Sequence, residues 1–433
     1  MPTILAKIVD RRLGEVVRRR LDDEPVVVLQ GPRAVGKSTL LQALAASRGR
    51  EIIDLDDLAT RDAARSDPAL FVRGEAPVLI DEFQHVPELL DAIKAELNRD
   101  AAPGRFVLTG STRYATLPAA AQALTGRAHR MDVLPLSQGE IAEAREDFVE
   151  ALVSDPLSLL EESPPAVARE EYVSRVVAGG FPPVLRRARP ADRARWFDDY
   201  VDLVIERDVL ELTRVRQRRQ LPLLLRQLAS QTAQVLNIAR AAAAIGMDKS
   251  TAESYTKLLE TVFLVHQLPA WGTTLGSRVG AAPKIHVVDS GLAARLLRLT
   301  ERKLGAATAP ALTEFGHLLE TFVVGEVSRQ LDWLDAPVMR GHWRTHDGDE
   351  VDLLVEREDG KIAALEVKAA SRVPARELRS LLKLRRKLGS QFLGGVVLYT
   401  GARAYTHDGM HIVPIGRLWR AGASAQPGSS RPV

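Results

Sequence analysis

Nine consecutive residues near the start of the chain combine the residue types that bind a triphosphate. The segment GPRAVGKST, residues 31–39, matches G-x-x-x-x-G-K-[ST] in full. Its glycines let backbone N–H groups wrap a phosphate, and a helix beginning at Lys37 would point its positive dipole end at the same place. Lys37 is expected to bridge the β- and γ-phosphates, and Ser38 to ligate Mg²⁺. The predicted cofactors are therefore ATP and Mg²⁺, and the predicted nucleotide-binding residues are Gly31, Pro32, Arg33, Ala34, Val35, Gly36, Lys37, Ser38 and Thr39.

Two acidic residues end the apolar run VLIDE, residues 78–82. Asp81 would hold Mg²⁺ through its water shell, and Glu82 would act as the general base that polarises the attacking water. A strand that ends in Asp-Glu is common, and a solvated strand end is the plain alternative. The catalytic interpretation of Asp81 and Glu82 is favoured because the two residues lie one helix and one strand after the phosphate-binding segment.

Two further residues are candidates for sensing the γ-phosphate. Thr109 lies with Ser111 at the end of another predicted strand and offers a hydroxyl there. Arg127, in the segment LTGR, is a candidate arginine for stabilising the transition state, either within its own subunit or in a neighbouring one. Because arginines are abundant in this chain, a structural role for either residue stays as well supported as a catalytic one.

The elements that must position these residues alternate between strands and helices. Apolar runs that read as strands fall at residues 25–31, 50–57, 76–82 and 104–111, with a final strand and turn within 130–141. Strands separated by helices indicate a parallel sheet with helices on its faces. The sequence therefore predicts an α/β domain of the P-loop NTPase type over residues 1–141, beginning with an amphipathic helix.

Composition and charge limit the class of protein without naming its partner. The chain has 433 residues, 45% of them hydrophobic and 27% charged, which is typical of a globular protein. A net charge of +3 is too small to indicate nucleic acid by itself. The lack of cysteine excludes disulfides, thiolate zinc sites and a cysteine nucleophile. No apolar stretch is long enough to span a bilayer, so we expect a cytoplasmic protein without a membrane partner.

Residues 142–230 read as a helical linker domain, and residues 231–300 as a winged-helix domain. In the second of these, a helix, a turn at Gly246 and another helix have the layout of a helix-turn-helix. The side chains expected to face outward near the start of the second helix, as DNA-reading residues do, are Lys249, Ser250, Thr251 and Ser254. Local basicity is low, and many winged helices contact only proteins or neighbouring domains, so both roles stay open.

Asp352, Glu366 and Lys368 form the pattern D-x13-E-x-K across two predicted strands, with Glu320 upstream on a helix. This arrangement is similar to the restriction-endonuclease-like, PD-(D/E)XK pattern. There, two carboxylates bind Mg²⁺, a lysine steadies the attacking water or the transition state, and a helix glutamate completes the shell. The resemblance implies a restriction-endonuclease-like α/β domain over residues 301–420, with these four residues as candidate nuclease residues and Asp352 and Glu366 as candidate metal ligands. Solvated strand faces, or a copy of the fold without activity, are the alternative.

Longer segments extend these motifs over nearly the whole chain. They include GPRAVGKSTLL, VLIDEFQHVPELLDAIK, FVLTGST and LTGRAHRMDVLPLSQGE, and later YVSRVVAGGFPPV, STAESYTKLLETVFLV, PKIHVVDSGLAARLL and GDEVDLLVE. Together they resemble a widespread prokaryotic family of AAA-type ATPases. The resemblance implies an AAA-type ATPase domain joined to an uncharacterised C-terminal region, and it implies no pathway. The small polar tail, residues 421–433, is expected to be disordered.

Two functional hypotheses follow. The first is an ATP-binding and ATP-hydrolysing protein that acts on or near DNA, with nuclease activity left open. The second is a nucleotide-gated regulatory or protein-binding switch whose C-terminal nuclease-like domain is catalytically inactive. The predicted partners are ATP, DNA as a candidate, and either a second copy of the chain or an unknown protein.

Overall fold

The computed structural model describes residues 4–113, 124–161, 165–209, 218–272, 274, 281–306 and 308–420. The tail that the sequence predicts to be disordered, residues 421–433, lies outside these ranges. Within them, no helix has the length and apolar character needed to cross a membrane.

The N-terminal part is built on a five-stranded parallel sheet, as predicted. Its strands are β1 (Val26–Gln30), β2 (Ile52–Asp54), β3 (Val78–Asp81), β4 (Phe106–Gly110) and β5 (Ala128–Asp132). Their order across the sheet is β2-β3-β4-β1-β5. Because β1 lies between the parallel strands β4 and β5, the residues that follow it emerge between these two neighbours at the carboxyl-terminal edge. Ligands of open α/β sheets bind at this edge.

Helices cover both faces of this sheet. They are α1 (Leu13–Asp23), α2 (Lys37–Arg48), α3 (Leu58–Ser66), α4 (Pro68–Phe71) and α5 (Leu89–Arg99). Successive side chains of a strand point to opposite faces of the sheet. The apolar residues Val26–Leu29 of β1 therefore pack into two separate cores, one on each face. Val27 and Leu29 pack in the core that contains α1 and α2, whereas Val26 and Val28 pack in the core that contains α5.

A helical region follows. Its helices are α6 (Gln138–Ile141), α7 (Phe148–Ser154), α8 (Arg169–Ala178), α9 (Pro182–Leu185), α10 (Pro190–Leu203) and α11 (Leu221–Ala229). The sequence predicts one continuous helix from α10 onward, but α10 passes into a π-helical turn at Val204–Val209. Such turns are rare and occur often at functional sites. Apolar periodicity does not reveal the change because the turn still buries Val204, Ile205 and Val209.

The next segment combines two helices with a small antiparallel sheet. It contains β6 (Gln234–Val235), α12 (Ile238–Ala244), α13 (Lys249–Thr261), β7 (Val265–Leu268) and β8 (Lys284–Val287). The strand order is β6-β8-β7, which places β8 in the middle. The turn between the helices uses Gly246 at φ 64°, in the left-handed region that glycine adopts without strain. The helix pair thus lies where the sequence predicts it, and its assignment as part of a winged helix stays a prediction.

The C-terminal part is a mixed six-stranded sheet with flanking helices. Its elements are α14 (Ser290–Leu296), α15 (Glu301–Gly305), α16 (Ala309–Leu331), β9 (Val338–Arg344), β10 (Glu350–Arg357), β11 (Ile362–Lys368), α17 (Arg379–Leu388), β12 (Phe392–Tyr399), β13 (Tyr405–His407) and β14 (Met410–Pro414). The order is β13-β14-β12-β11-β10-β9. Strands β9, β10 and β11 form an antiparallel meander, and α17 then crosses to β12, which pairs parallel to β11.

The long helix α16 ties the C-terminal part to the preceding regions. Glu326 on α16 accepts a hydrogen bond from the backbone of Gln138 at 2.9 Å, and Gln330 donates to the carbonyl of Leu418 at 2.7 Å. One buried apolar cluster contains residues from all four predicted folded domains. The chain is therefore packed continuously across the predicted boundaries, and the boundaries themselves stay predictions.

Candidate functional site

The phosphate-binding segment forms a tight loop between β1 and α2, and two glycines set its shape. Gly36 lies at φ 96°, a conformation that side-chain-bearing residues rarely adopt, immediately before Lys37 begins α2. Gly31 has no room for a side chain, because a Cβ there would lie 2.2 Å from the carbonyl oxygen of Val133. Ala34 also lies at positive φ, 62°. The loop therefore curls its backbone toward the start of α2, as an anion cradle requires.

Lys37 is buried inside this loop. Its Nζ donates to the carbonyls of Gly31 at 3.0 Å and Pro32 at 2.9 Å, so the ammonium is held by the loop it serves. Burial lowers the pKa of Lys37, and the carboxylate of Glu82 opposes that shift. A buried ammonium group whose partners are neutral carbonyls is stabilised when it binds an anion, and a triphosphate is such an anion.

The end of β3 brings Asp81 to the same place. Asp81 accepts a hydrogen bond from the Thr109 hydroxyl at the end of β4, and the Ser38 hydroxyl at the start of α2 lies near enough to affect its pKa. Burial raises the pKa of Asp81, and these two hydroxyl groups counteract the rise. The structure thus joins three predicted site residues that the sequence separates by dozens of positions.

Glu82 follows Asp81 in a strained conformation. Its φ of 53° is left-handed, which is uncommon for a side-chain-bearing residue and is often found at functional sites. The backbone N–H of Glu82 donates to Asp81 Oδ1 at 3.1 Å and to Thr109 Oγ1 at 3.3 Å, which fixes the turn. Its carboxylate accepts from the Gln84 amide, which also donates to Ser111 Oγ at 3.1 Å. Gln84 is a site residue that sequence reasoning missed.

Arg33 leaves the loop toward the helical region and meets Asp208 in the π-helical turn. Arg33 Nε lies 2.8 Å and 2.7 Å from the two carboxylate oxygens of Asp208, and Nη2 lies 2.7 Å from one of them. Both side chains are nearly buried, at 12% and 2% exposure. Although burial opposes it, Asp208 raises the pKa of Arg33. Asp208 is a second residue that sequence reasoning missed, and no local pattern points to it because it lies 175 positions from its partner.

Arg127 does not reach this site within its own subunit. It directly precedes β5, and Ala128 at the start of β5 pairs with Val26 at the start of β1. The phosphate-binding loop follows the other end of β1, about 16 Å away at 3.3 Å per residue. Arg127 Nη1 donates to Asn98 at 2.7 Å instead. Arg127 is therefore distant from the loop of its own subunit, and its role as a transition-state arginine, in its own or a neighbouring subunit, stays a prediction.

The candidate DNA-reading residues make hydrogen bonds and an ion pair within the first turns of α13. Thr251 donates its backbone N–H to Asp248 at 3.1 Å, Ser254 Oγ donates to the carbonyl of Ser250 at 3.0 Å, and Lys249 lies 3.5 Å from Glu253. The contact with Asp248 gives a hydrogen-bond acceptor to a backbone N–H at the start of the helix. Lys249 remains 62% exposed in this arrangement. DNA contact by this helix stays a prediction.

The predicted nuclease residues converge in the C-terminal part, around a lysine that the sequence analysis did not select. Lys284, on β8, places Nζ 2.7 Å from Glu320, 2.9 Å from Asp352 and 2.5 Å from Glu350. Glu366 pairs with Lys368 at 2.8 Å, and Lys368 also lies 3.3 Å from Glu377. We refer to Lys284, Glu320, Glu350, Asp352, Glu366 and Lys368 as the acidic cluster. Lys284 was visible as the only charged residue in the strand-like run PKIHVV, but its partners were not.

Burial dominates the electrostatics of the acidic cluster. Burial and the neighbouring Asp352 raise the pKa of Glu366 to about 8, and they also raise the pKa of Glu320. Burial opposes ionisation of Asp352, but Lys284 holds its pKa below the usual range. The carboxylates of Asp352, Glu320 and Glu350 raise the pKa of Lys284 against the effect of burial. Lys284 is therefore a charged ammonium, and Asp352 is its charged partner.

Three stretches of the chain match known sequence families. Residues 23–142 match the AAA domain family. Residues 169–303 and 315–418 match two domains of unknown function, DUF8612 and DUF4143. The first match, together with the phosphate-binding loop, confirms the prediction of an AAA-type P-loop ATPase domain at the N-terminus. The C-terminal family is uncharacterised, as the sequence resemblance implied.

Comparison with individual proteins gives two kinds of relative. The chain is 29% identical over 383 residues to the uncharacterized proteins Rv2008c of Mycobacterium tuberculosis and Mb2031c of Mycobacterium bovis, covering 88% of this chain and 78% of theirs. Among solved structures, the Walker-type ATPase PABY2304 of Pyrococcus abyssi is 16% identical at a TM-score of 0.41, covering 69% of this chain and 98% of that one. The RuvB Holliday junction branch migration motor of Thermotoga maritima is 16% identical at a TM-score of 0.29, over 62% and 93%.

Proposed function

We propose that this protein binds ATP with Mg²⁺ at Gly31–Thr39, hydrolyses it, and uses hydrolysis to act on or near DNA. The AAA-type domain supports nucleotide binding and ATPase activity in general. The assignment of individual residues is supported by one observation above all. Thr109 donates a hydrogen bond to Asp81, and Ser38 lies near Asp81, beside the loop that holds Lys37.

The residues present suit a magnesium ion accompanied by a triphosphate. Ser38 offers a hydroxyl and Asp81 a carboxylate, both hard oxygen ligands of the kind Mg²⁺ prefers. Two protein oxygens are enough, because Mg²⁺ usually keeps several waters and takes the rest of its ligands from phosphates. When bound, the ion would neutralise charge on the β- and γ-phosphates. Lys37 would exchange its carbonyl partners for those phosphates, since a charged acceptor forms a stronger hydrogen bond.

Glu82 is the residue we assign to activating water. Its carboxylate lies beside Lys37 and Asp81, and the left-handed turn at φ 53° fixes the direction in which it leaves β3. Accepting a proton from water requires a carboxylate oxygen that is free of other donors. The Gln84 amide donates to Oε2 of that carboxylate, and we assign the other carboxylate oxygen to accepting the proton. Thr109 holds Asp81 and the Glu82 backbone in place and lies where it can detect the γ-phosphate.

The nucleotide assignment is tested by Lys37→Ala, with Lys94→Ala as the matched control. Lys94 is an exposed lysine on α5 of the same domain. Lys37→Ala should abolish binding of an ATP analogue in calorimetry and reduce ATP turnover to background, while Lys94→Ala behaves as wild type. Wild-type turnover by Lys37→Ala would show that the loop is not the catalytic site.

Support for DNA as the partner comes from charge on α17. Arg379, Arg386 and Lys387 are exposed on this helix, whose other face packs Leu381, Leu384 and Leu388 into the C-terminal core. A basic face on a firmly packed helix can hold a phosphate backbone. Each side chain that ceases to bind a phosphate should reduce the steepness of log affinity against log salt by about 0.9.

The DNA proposal is tested by fluorescence anisotropy with a labelled duplex over a series of salt concentrations. We expect the triple variant Arg379→Gln/Arg386→Gln/Lys387→Gln to weaken binding and flatten the salt slope. The double variant Arg189→Gln/Arg195→Gln removes two exposed arginines elsewhere and should leave both unchanged. If the triple variant and wild type had equal slopes of log affinity against log salt concentration, α17 would not be part of the DNA interface. ATPase rates measured with and without the duplex then report whether hydrolysis is coupled to DNA.

One observation favours a second candidate, a nucleotide-gated switch whose C-terminal domain is inactive. Arg33 belongs to the phosphate-binding loop, yet both of its carboxylate contacts are with Asp208 in the helical region. A γ-phosphate near Arg33 would compete with Asp208 for the guanidinium, so binding could change the helical region without any work on DNA. The two candidates are separated by incubating protein with DNA, ATP and Mn²⁺. Nicking that Asp352→Ala/Lys368→Ala abolishes supports cleavage, whereas no nicking and a DNA-independent ATPase support the switch.

A further inference from the structure

We propose that the ammonium of Lys284 takes the position that a divalent cation would take in the acidic cluster, so that the cluster is a buried ionic tie rather than a metal site. The tie joins β8 of the small sheet to α16 and β10 of the C-terminal part. This inference does not depend on ATP binding or hydrolysis, and it concerns a part of the molecule to which no activity is assigned.

Lys284 is enclosed by carboxylates. The side chain has no solvent exposure, and Nζ contacts one carboxylate oxygen each from Glu320, Asp352 and Glu350, at 2.7, 2.9 and 2.5 Å. Nζ donates hydrogen bonds to Glu320 and Asp352, and Glu350 adds an ion pair. The distances match charged N–H···O hydrogen bonds, whereas oxygens around Mg²⁺ lie at about 2.0–2.1 Å.

Two further carboxylate oxygens of the cluster accept hydrogen bonds from protein donors, whereas Glu366 Oε2 is buried without a hydrogen-bond partner. The second oxygen of Asp352 accepts the backbone N–H of Val367 at 2.9 Å, and Glu366 accepts from Lys368 at 2.8 Å. Arg344 lies 3.3 Å from the second oxygen of Glu350. Among the residues the structure describes, no group of three or more His, Asp or Glu side chains is placed to hold a metal ion. The donor set that the sequence pattern suggested for Mg²⁺ therefore does not fit a divalent cation in this arrangement.

The position of Lys284 leads to the same conclusion. The carboxyl groups of Glu320, Glu350 and Asp352 surround its ammonium group, with Arg344 at the edge. A divalent cation entering between Glu320 and Asp352 would have to displace Lys284. Because Lys284 is buried, the displaced ammonium would keep Glu350 as its partner but lose both Glu320 and Asp352. A buried charge that loses its partners is strongly unfavourable, so Lys284 opposes entry of the metal.

The test titrates nucleotide-free protein with Mn²⁺, detecting bound ion by electron paramagnetic resonance and stability by thermal unfolding. Wild type should bind no Mn²⁺ that depends on Asp352, so that wild type and Asp352→Asn give superimposable titrations. Lys284→Met keeps the length of the side chain and removes its charge. It should lower the Tm, gain a Mn²⁺ site, and recover Tm when Mn²⁺ is added. Lys284→Met/Asp352→Asn should lose that site again.

Lys361→Met is the matched control, because Lys361 precedes β11 in the same domain and its Nζ donates to a backbone carbonyl, that of Ser390. It should gain no Mn²⁺ site. If Lys284→Met does not fold, Lys284→Met/Glu350→Gln removes one of the carboxylates left unpaired and takes its place. Asp352-dependent Mn²⁺ binding by wild type would overturn the proposal. So would a folded Lys284 variant that binds no more Mn²⁺ than wild type.

Discussion

Replacing Asp208 by Asn should destabilise the nucleotide-free protein and make its stability depend on ATP. The carboxylate is 2% exposed and makes contacts of 2.7–2.8 Å with Arg33, which is itself 12% exposed. Removing one partner of such a buried pair costs about 3–5 kcal/mol, because the other charge is left uncompensated. Asn keeps the shape and one acceptor, so we expect the lower figure, about 3 kcal/mol. An ATP analogue should then restore stability by supplying phosphate oxygens to Arg33.

The assay is urea unfolding with and without a non-hydrolysable ATP analogue. Asp208→Asn should gain more stability from the analogue than wild type does, and Arg33→Met/Asp208→Asn should lose the extra gain. A double-mutant cycle over the two residues isolates their pairwise term. Unfolding of Asp208→Asn at the wild-type urea concentration would refute the reasoning. So would an equal gain from the analogue in all proteins, since Arg33 would then not exchange Asp208 for nucleotide.

Three further changes have defined outcomes. Glu82→Gln should retain ATP binding and lower turnover by about 10²–10⁴-fold, measured by phosphate release, and near-wild-type turnover would exclude Glu82 as the base. Gly31→Ala should abolish ATP binding because its Cβ would lie 2.2 Å from the Val133 carbonyl, whereas Gly316→Ala, in open space on α16, should fold and bind normally in calorimetry. Burial raises the pKa of Glu326 to about 7, so this group stabilises the fold below its unfolded pKa and loses that contribution as pH rises through 7. Glu326→Gln should therefore remove up to about 3 kcal/mol of the fall in unfolding free energy between pH 4.5 and 8, and identical pH profiles would contradict the assignment.

The sequence predicts that several candidate nucleotide-site residues come together, because their positions follow local rules. Apolar runs identify the buried strands, and parallel pairing brings their carboxyl ends to one edge. Ser38, Asp81 and Thr109 are therefore placed together by topology, whatever the details of packing. The position of Arg127 follows from the same rule, because a residue that precedes a parallel strand lies at the opposite edge.

Partners that come from distant elements were not predictable in the same way. Asp208 lies in a π-helical turn whose extra residue per turn changes which side chains face inward. Lys284 could be recognised as a charged residue in an apolar strand, which indicates a buried partner. Its partners, however, depend on how β8 lies against α16 and β10, and no periodicity along the chain encodes that contact.

Buried charges explain how such different segments keep one arrangement. Apolar packing is non-directional and tolerates sliding, whereas a buried charge demands its partner at one place. Arg33 and Asp208 are separated by 175 positions, Lys284 and Asp352 by 68, and Gln138 and Glu326 by 188. Of these contacts, only the first includes a residue of the phosphate-binding loop. Among these three contacts, a bound triphosphate can therefore act directly only on the pair Arg33 and Asp208, which links the phosphate-binding loop to the π-helical turn.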